Sequence, residues 1–520
     1  MYLTQCIKRN AQTNSNGIAT IFGNRTRTWS ELLDRVAKLA GAIKTRCGGN
    51  NARVAILALN SDRYFEYYFA TWWAGAVVVP MNIRWSVAEH AYSLNDSGAT
   101  TLFVDDNFIH MIDDIRKQAS SLTTVIYMGD NSDSHGTLNY EQLIESSEPM
   151  DDAWRGGEDL AGLFYTGGTT GFPKGVMLPH RALWASSISI AWHGKLTADS
   201  RLLHAAPMFH LADMALGLAS TIGGASHVFI SAFDAEKTVQ AIQAHDVSIG
   251  LLVPTMIKMT VDHLQEDKNI SLTSLRQVFF GASPMPRALL ENAINLLPDV
   301  GWSQLYGQTE LAPLATFQPA EYCTTLGKQA EKLNSAGQAG LCVELQIVDE
   351  LGAEVERGQV GEIRVRGANV MQGYWNRPEE TAVTLVNGWV NTGDAGYMDN
   401  DGFLFIADRL KDMIITGGEN VFSAEVESAL STHAGVSECA VIGIPSEQWG
   451  EAVHAIIICT AGNKVTEQAL IAHCRAQIAH YKCPSSITFR TDPMPLSGAG
   501  KVLKRDLRVP FWAGKERQVN

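Results

Sequence analysis

The residues of this chain that could carry out chemistry lie in short stretches rich in glycine, threonine and single charges. The first is Tyr165-Thr166-Gly167-Gly168-Thr169-Thr170-Gly171-Phe172-Pro173-Lys174, which directly follows an apolar run suited to a buried strand. Its glycines allow the backbone to approach an anion closely, and its N–H groups, its threonine hydroxyls and the Lys174 ammonium could bind phosphate. Pro173 precedes the lysine where the Walker loop requires glycine, so the spacing predicts a phosphate loop of another type. The alternative is a surface loop rich in glycine and threonine.

Two further stretches carry single carboxylates. Tyr306-Gly307-Gln308-Thr309-Glu310 offers a hard oxygen ligand, and Mg²⁺ is usually held by one or two carboxylates beside substrate phosphates. Gly388-Trp389-Val390-Asn391-Thr392-Gly393-Asp394 ends in a carboxylate that could accept hydrogen bonds from both hydroxyls of a diol. In isolation, the first could be any loop and the second a structural turn.

These stretches together resemble the signature motifs of the adenylate-forming superfamily, which contains acyl-CoA synthetases, luciferases and peptide-synthetase adenylation domains. The resemblance spans about residues 20–510, with the motifs in family order. Many members have serine at the position of Gly167, and the glycine form is familiar among fatty-acyl-CoA ligases. The resemblance therefore favours the acyl-CoA synthetase branch.

The resemblance implies a nucleotide site. Tyr306 would stack against adenine, Thr309 would contact the α-phosphate and Glu310 would bind Mg²⁺. Asp394 would hold the ribose hydroxyls together with Arg409, which follows Asp408 where many relatives have glycine. The other implied ATP-binding residues are Thr166, Gly167, Gly168, Thr169, Thr170, Gly171, Lys174, Gly281, Ala282, Ser283, Gly307 and Gln308.

The resemblance also implies a mobile C-terminal domain. Lys411 occupies the family hinge, and the loop with Gly417 and Gly418 would line the pantetheine channel after rotation. Lys501 matches the lysine that stabilises charge during attack on the α-phosphate, so the implied catalytic residues are Lys501, Thr309 and Lys174. A basic tail is the alternative for this segment, especially for Lys504, Arg505 and Arg508.

His210 lies where the family has a residue at the mouth of the acyl pocket. Peptide-synthetase domains usually place an aspartate near this position, and its absence disfavours an amino acid as substrate. Met208, Met214, Thr255 and Met256 are candidates for the pocket wall, although apolar residues at these spacings could equally be ordinary core.

The elements that position these residues alternate between apolar strands and amphipathic helices, which predicts an α/β fold with a mainly parallel sheet. From Gly337 onward, short strands with glycine turns predict a smaller β-rich subdomain. The charged run Asp408–Asp412 is the expected domain boundary, which gives an N-terminal ATP- and acyl-binding domain of residues 1–408 and a small mobile α+β domain of residues 409–520.

Composition sets the broad class. The chain has 520 residues, 46% of them hydrophobic and 18% charged, and a net charge of −14, which disfavours nucleic acid or an anionic membrane as partner. Eight cysteines without metal-ligand spacing indicate reduced thiols, and the N-terminus has no apolar signal segment. The most apolar run, around Tyr67–Met81, is too short to span a bilayer, so a cytoplasmic protein is expected.

The resulting prediction is a ligase that uses ATP, Mg²⁺ and coenzyme A to convert a carboxylic acid into acyl-CoA through an acyl-adenylate, with release of AMP and pyrophosphate. A fatty or other medium-sized acid is preferred because of the glycine form of the first loop. The alternatives are transfer of the acyl group to a carrier protein, a luciferase-like oxidase, a β-lactone-forming synthetase and a degenerate relative that only binds nucleotide or acyl ligand. Oligomeric state is left open, with a homodimer as one candidate.

Overall fold

A computed structural model describes residues 1–47, 50–131, 136–166, 173–267, 270–460, 462–463, 465–496 and 502–513. The helices in these ranges are α1 (Gln5–Thr13), α2 (Trp29–Cys47), α3 (Asp62–Trp73), α4 (Val87–Ser97), α5 (Ile112–Gln118), α6 (Tyr140–Glu145), α7 (His180–His193), α8 (Leu211–Gly223), α9 (Ala235–Ala244), α10 (Pro254–Glu266), α11 (Arg287–Leu296), α12 (Pro378–Thr384), α13 (Ser423–Ser431), α14 (Glu467–Arg475) and α15 (Lys504–Trp512).

The strands begin with β1 (Ile18–Phe22), β2 (Arg25–Thr28), β3 (Arg53–Leu57), β4 (Val77–Pro80), β5 (Thr101–Val104), β6 (Thr124–Tyr127), β7 (Leu138–Asn139), β8 (Leu160–Thr166), β9 (Lys174–Pro179), β10 (Arg201–His204), β11 (Ser226–Phe229), β12 (Ile249–Leu251), β13 (Gln277–Gly281) and β14 (Gly301–Gly307). They continue with β15 (Leu314–Gln318), β16 (Gln338–Ala339), β17 (Val343–Val348), β18 (Gly361–Gly367), β19 (Gly373–Tyr374), β20 (Leu385–Val386), β21 (Trp389–Met398), β22 (Leu404–Arg409), β23 (Ile414–Thr416), β24 (Glu419–Val421), β25 (Val436–Ser446), β26 (Gly450–Cys459) and β27 (Ser486–Phe489).

Two large sheets form the frame of the molecule. The first sheet has the order β16-β15-β14-β13-β12-β10-β11-β1-β2, and the second has the order β19-β9-β8-β4-β3-β5-β6-β7. Their central strands pair in parallel and are buried on both faces, as the apolar runs require. One buried apolar cluster contains residues of α2, α3, α7 and α8 and of both sheets, so these helices fill the space between the sheets. The α/β prediction is confirmed, with two sheets where the alternation suggested one.

Two smaller sheets follow. The third has the order β17-β18-β21-β20, with β22 paired to β21, and forms the predicted β-rich subdomain. The fourth has the order β24-β23-β26-β25, with β27 paired to β26. Helices α13 and α14 contribute to the apolar cluster on the fourth sheet, and α15 contributes to a second one, which makes this part α+β.

Local sequence signals place the helix starts. Thr28 begins α2 with a reciprocal pair of bonds, in which the Glu31 N–H donates to Thr28 Oγ1 and the Thr28 N–H donates to the Glu31 carboxylate. Helix α3 begins at Asp62, because Ser61 accepts the Tyr64 N–H as its cap. In the described ranges, no helix is both long and apolar enough to cross a membrane.

Candidate active site

One edge of the first sheet collects several of the predicted site residues. Strands β10, β12, β13 and β14 are parallel neighbours, so their carboxyl ends lie along the same edge. The residues that follow these ends include Met208, Met256, Ser283 and Thr309. In open α/β sheets, ligands bind in the crevice outside these carboxyl ends. The topology therefore brings the predicted adenine, phosphate and acyl segments to one crevice.

Backbone geometry explains the glycines at this edge. A side chain at Gly281 would place its Cβ 2.1 Å from the Leu305 carbonyl oxygen of the adjacent strand. Gly307 has φ +159°, and its Cβ would lie 1.8 Å from the Pro313 carbonyl oxygen. Ala282 has φ +65°, a left-handed conformation that is strained for alanine and that persists where the surrounding structure imposes it. The predicted adenine loop is thus held in one shape.

The predicted ribose carboxylate is fixed by two neighbours. Asp394 in β21 pairs with Arg409 in β22, and the Arg409 Nε lies 3.1 Å from Asp394 Oδ1. The Tyr306 hydroxyl, which comes from the first sheet, donates to Asp394 Oδ2 over 2.8 Å. Burial, followed by the neighbouring Asp394 charge, raises the pKa of Tyr306, so this hydroxyl remains a donor. The structure brings Tyr306, Asp394 and Arg409 together.

The predicted metal carboxylate lies at the junction of the first two sheets. Glu310 follows β14 and is 8% exposed. Its Oε1 accepts a hydrogen bond of 2.7 Å from the hydroxyl of Tyr374 in β19. The Lys174 ammonium lies 5.3 Å from the centroid of the Tyr374 ring. The described residues contain no group of three or more His, Cys, Asp or Glu side chains suited to a metal. A single carboxylate beside a phosphate-binding lysine fits Mg²⁺ that is held mainly by nucleotide phosphates.

Strands β8 and β9, which flank the predicted phosphate loop in the chain, pair antiparallel with Thr166 opposite Lys174. The predicted residues Gly167, Gly168, Thr169, Thr170 and Gly171 lie outside the described residues. The strand that leads into the loop is anchored by the Tyr165 hydroxyl, which donates to Asp96 Oδ2 over 2.6 Å. The Trp375 indole donates to the Asp96 carbonyl over 2.8 Å, so the last turn of α4 also holds the segment that carries Tyr374.

The proposed acyl-pocket residues fall into two groups. Met208 and Met214 are buried and line a small cavity between α3 and α8, together with Phe65, Tyr68, Trp72, His204, Gly217 and Leu218. His210 precedes α8, and its ring centroid lies 4.1 Å from that of Phe209. Met256 lies in the first turn of α10 and packs against a different apolar cluster.

The hinge segment is tied to the C-terminal helix. Lys411 lies in a short 3₁₀ turn, Leu410–Asp412, directly after β22. Arg508 in α15 donates to the carbonyl oxygens of Lys411 and Asp412 over 3.1 and 3.3 Å. Lys504, also in α15, forms an ion pair of 2.7 Å with Glu427 and donates to Ser423 Oγ over 2.6 Å. The basic-tail interpretation is therefore wrong for Lys504 and Arg508, because contacts with α13 and the hinge segment leave only 13% and 15% of their side chains exposed.

Gly417 and Gly418 form the two-residue turn between β23 and β24, with φ +60° and +85°. Positive φ at both central residues is the requirement of a tight hairpin turn that matches strand twist, which explains the glycine pair. The Gly417 N–H donates to the Trp449 carbonyl over 2.9 Å, and the half-exposed Trp449 ring covers the turn. The predicted catalytic Lys501 lies outside the described residues.

The sequence did not indicate the roles of two residues at this site, Tyr374 and Asp408. Tyr374 lies 64 residues after Glu310, so no local spacing connects them; the only signal was a Gly-Tyr-Trp run in a short strand. Asp408 stands where many relatives have glycine, and no sequence signal indicated its role: it is 7% exposed and its carboxylate binds the start of α13.

Comparison with known proteins identifies the family of this chain. The family described as "AMP-binding enzyme" matches residues 7–375, and the family described as "AMP-binding enzyme C-terminal domain" matches residues 425–501. A feruloyl-CoA synthase of Amycolatopsis sp. is 35% identical over 504 residues, covering 97% of this chain and 98% of that protein. The fatty acid–[acyl-carrier-protein] ligase ScoC of Streptomyces coeruleorubidus is 33% identical over 522 residues, covering 100% of this chain and 98% of that protein.

A solved structure shows the same fold with ligands. The o-succinylbenzoate-CoA synthetase MenE of Bacillus subtilis, in complex with its acyl-adenylate intermediate, is 30% identical with a TM-score of 0.84, covering 96% of this chain and 97% of that chain. The same enzyme in complex with ATP and a magnesium ion superposes with a TM-score of 0.83 at 30% identity, covering 96% of this chain and 98% of that chain.

Proposed function

The chain belongs to the AMP-binding enzyme family, and from this premise we infer that it is an AMP-forming acyl-CoA synthetase. It joins a carboxylic acid to coenzyme A through an acyl-adenylate and releases AMP and pyrophosphate. ATP and coenzyme A are co-substrates, and Mg²⁺ is the metal. The observation that carries this function is the junction of three sheets, where Tyr306, Glu310, Lys174 and Asp394 are brought together from separate parts of the chain.

In the first half-reaction, a carboxylate oxygen of the acid attacks the α-phosphorus of ATP. The bond from the α-phosphorus to the bridging oxygen breaks, and pyrophosphate leaves. We assign Lys174 and the loop of residues 167–171 to the leaving phosphates, Thr309 to the α-phosphate, and Lys501 to the charge that develops between carboxylate and phosphate. Glu310 would hold Mg²⁺, which neutralises phosphate charge when bound.

The same proposal places adenosine at the edge of the first sheet. Asp394 has a carboxylate oriented by Tyr306 and Arg409, and it would accept hydrogen bonds from the two ribose hydroxyls. Tyr306 and the loop Gly281-Ala282-Ser283 would enclose adenine, with Gly307 and Gln308 completing the wall. The strained Ala282 supports this assignment, because such backbone conformations concentrate at ligand sites.

In the second half-reaction, the sulfur of coenzyme A attacks the acyl carbon. The carbon–sulfur bond forms, the bond to the AMP oxygen breaks, and the thiol proton is lost. We propose that residues 409–520 rotate about Lys411 between the two steps relative to residues 1–408. The turn with Gly417 and Gly418 would then replace Lys501 at the site. Lys411 lies between the last strand of the third sheet and the first strand of the fourth, which supports a hinge at this position.

A carrier protein is the second candidate for the acyl acceptor. The observation that favours it is the relative named as a fatty acid–[acyl-carrier-protein] ligase, which matches the whole length of this chain. We keep a fatty or other medium-sized acid as the proposed substrate. The relatives named for ferulic acid and for fatty acids support an acid with an apolar body, and His210 would lie at the pocket mouth. We also propose a cytoplasmic location, which the eight unpaired thiols support.

The test is product analysis by mass spectrometry. The purified protein is incubated with MgATP and a panel of aliphatic and aromatic acids, each with and without coenzyme A. We expect an acyl-CoA together with AMP for at least one acid. Adenylate that accumulates while coenzyme A remains unused would indicate a carrier-protein acceptor. Absence of ATP consumption with every acid would contradict the proposed function.

A further inference from the structure

We propose that Tyr374 is a positioning residue for the nucleotide-activating site. Its hydroxyl holds the metal-binding carboxylate of Glu310, and its ring holds the phosphate-binding ammonium of Lys174. The inference rests on the proposed function, because it assigns Glu310 to Mg²⁺ and Lys174 to phosphate. Tyr374 itself need not touch either substrate.

The hydroxyl side of the proposal rests on one short contact. The Tyr374 hydroxyl donates to Glu310 Oε1 over 2.7 Å, and both residues are 8% exposed. Among the described residues, no other side chain hydrogen-bonds to this carboxylate. The tyrosine therefore restricts the rotation of the carboxylate through Oε1, and Oε2 would be the oxygen that binds a cation. Partners that orient a metal ligand from behind typically change metal affinity ten- to hundredfold when they are removed.

The ring side concerns Lys174. Its ammonium lies 5.3 Å from the Tyr374 ring centroid, within the range of a cation–π contact. A lysine side chain has four rotatable bonds, so without such a contact its ammonium would sample many positions. The ring thus restricts the Lys174 ammonium to the neighbourhood of the same tyrosine whose hydroxyl holds Glu310.

The backbone around Tyr374 is hydrogen-bonded to the segments that carry Lys174 and Glu310. In strand β19, Tyr374 pairs with Val176, two residues after Lys174, and the Trp375 N–H donates to the Gly175 carbonyl over 2.7 Å. At the other end of the same segment, the Met371 N–H donates to the Glu310 carbonyl over 3.0 Å. Residues 371–375 therefore bridge the segment after β14 in the first sheet and the phosphate hairpin in the second. This bridge fixes where the tyrosine side chain can reach.

The chain contains a matched control at a distance from the site. Tyr140 is 1% exposed, its hydroxyl donates to Glu66 Oε2 over 2.6 Å, and its ring lies 5.9 Å from the Arg35 guanidinium. This group has the same chemistry as the Tyr374 group, but it belongs to an ionic cluster between α2, α3 and α6. Variants of Tyr140 therefore report the general cost of removing a buried tyrosine hydroxyl or ring.

The experiment measures ATP binding to the full-length protein by calorimetry, once with EDTA and once with excess Mg²⁺. The variants are Tyr374→Phe and Tyr374→Leu, with Tyr140→Phe and Tyr140→Leu as controls, and melting curves verify folding. For Tyr374→Phe we expect the Kd without metal to change less than about twofold, because the ring is retained. The ratio of the ATP Kd without Mg²⁺ to the Kd with Mg²⁺ should be about tenfold or more smaller than in the wild type. Tyr374→Leu should in addition weaken binding without metal by about threefold to tenfold.

A double-mutant cycle separates positioning from general damage. In a Glu310→Gln background, Tyr374→Phe should produce no further loss of Mg²⁺-dependent tightening, because the group it positions has already been changed. The inference is overturned if Tyr374→Phe binds MgATP as the wild type does, if its effect persists in that background, or if the Tyr140 variants show the same change. A wild-type protein that binds no ATP would instead overturn the proposed function itself.

Discussion

At the scale of single residues, the proposed site is built from carboxylates that neighbouring side chains hold in place. Asp394 is 6% exposed, with Oδ1 facing Arg409 and Oδ2 accepting from Tyr306. Glu310 is held by Tyr374 in a similar manner. A carboxylate fixed in this way loses little conformational entropy when a ligand binds, which favours recognition of a diol or a cation.

We predict that Asp394→Ala weakens ATP binding about tenfold to a hundredfold, because hydrogen bonds to a charged group contribute about 1.5–3 kcal/mol. Calorimetric titration of wild type and variant with ATP measures the loss. With 2′,3′-dideoxy-ATP, which lacks both ribose hydroxyls, the Kd values of the wild type and the variant should differ far less. An equal loss with both nucleotides would contradict a ribose role for Asp394.

A second prediction at this scale concerns the fully buried His90. Burial lowers the pKa of His90 from 6.5 to about 4, so the folded protein keeps this imidazole neutral at mildly acidic pH. Because the folded pKa is depressed, the unfolded chain binds the proton first, and stability is lost as pH falls below about 6.5. At pH 5, His90 should lower the free energy of unfolding by about 2 kcal/mol.

Urea denaturation at pH 8 and pH 5 measures this dependence. We expect His90→Leu to reduce the drop in stability between the two pH values, whereas the same replacement at the exposed His110 should leave the drop unchanged. An identical drop in wild type and His90→Leu would show that this histidine does not contribute.

At the scale of elements, helix α13 is capped by a residue from another sheet. Asp408 ends β22 of the third sheet, and its Oδ2 accepts from the Ser423 hydroxyl over 2.5 Å and from the Ala424 N–H over 3.4 Å. A carboxylate at a helix N-terminus satisfies free N–H groups and complements the helix dipole. The cap therefore connects the two sides of the proposed hinge, and rotation at Lys411 must break it.

We predict that Asp408→Ala destabilises the protein by about 1–2 kcal/mol, the usual effect of losing a helix cap, and also changes the ratio of the two half-reaction rates. Asp234→Ala is the matched control, because Asp234 caps α9 by accepting the Lys237 N–H over 2.9 Å, in a helix outside the hinge segment. Stopped-flow assays of adenylate formation and of thioester formation measure the ratio. A ratio that changes equally in both variants would assign the effect to stability alone.

At the scale of the whole molecule, the proposed active site lies where three sheets meet, and the fourth sheet follows the proposed hinge segment. Tyr306 and Glu310 come from the first sheet, Lys174 and Tyr374 from the second, and Asp394 and Arg409 from the third. No single sheet contains a complete site, so the packing of the sheets is a condition for activity. The proposed rotation would bring Lys501 to this site for the first half-reaction and the Gly417-Gly418 turn for the second.

We predict that the two half-reactions depend on different C-terminal residues. Lys501→Ala should slow adenylate formation by about 100- to 1,000-fold, as loss of a charge-stabilising group does, and should spare thioester formation from supplied acyl-adenylate. Gly417→Val should have the opposite effect, because φ +60° disfavours valine and its Cβ would contact Trp449 at 2.8 Å. Normal adenylate formation with a collapse of thioester formation in Lys501→Ala would reverse the assignment.

The sequence by itself determined the family, the chemistry, the α/β class and the bounds of some elements. Glycine-rich loops and single carboxylates keep their order in the chain, and local signals such as the apolar run of β13 or the helical pattern of His180–His193 depend only on nearby residues. Those features follow from short-range backbone preferences and hydrophobic periodicity, so they can be predicted from the chain alone.

Only the tertiary structure decided which side chains meet across sheets. Tyr374 reaches Glu310 over 64 residues of sequence, Tyr306 reaches Asp394 over 88, and Lys504 reaches Ser423 over 81. A charged run such as Lys504–Arg508 looks like a solvated tail in sequence, whereas contacts with α13 and the hinge segment partly bury Lys504 and Arg508. Contacts of this kind depend on how sheets pack and pair in register, which no local pattern encodes.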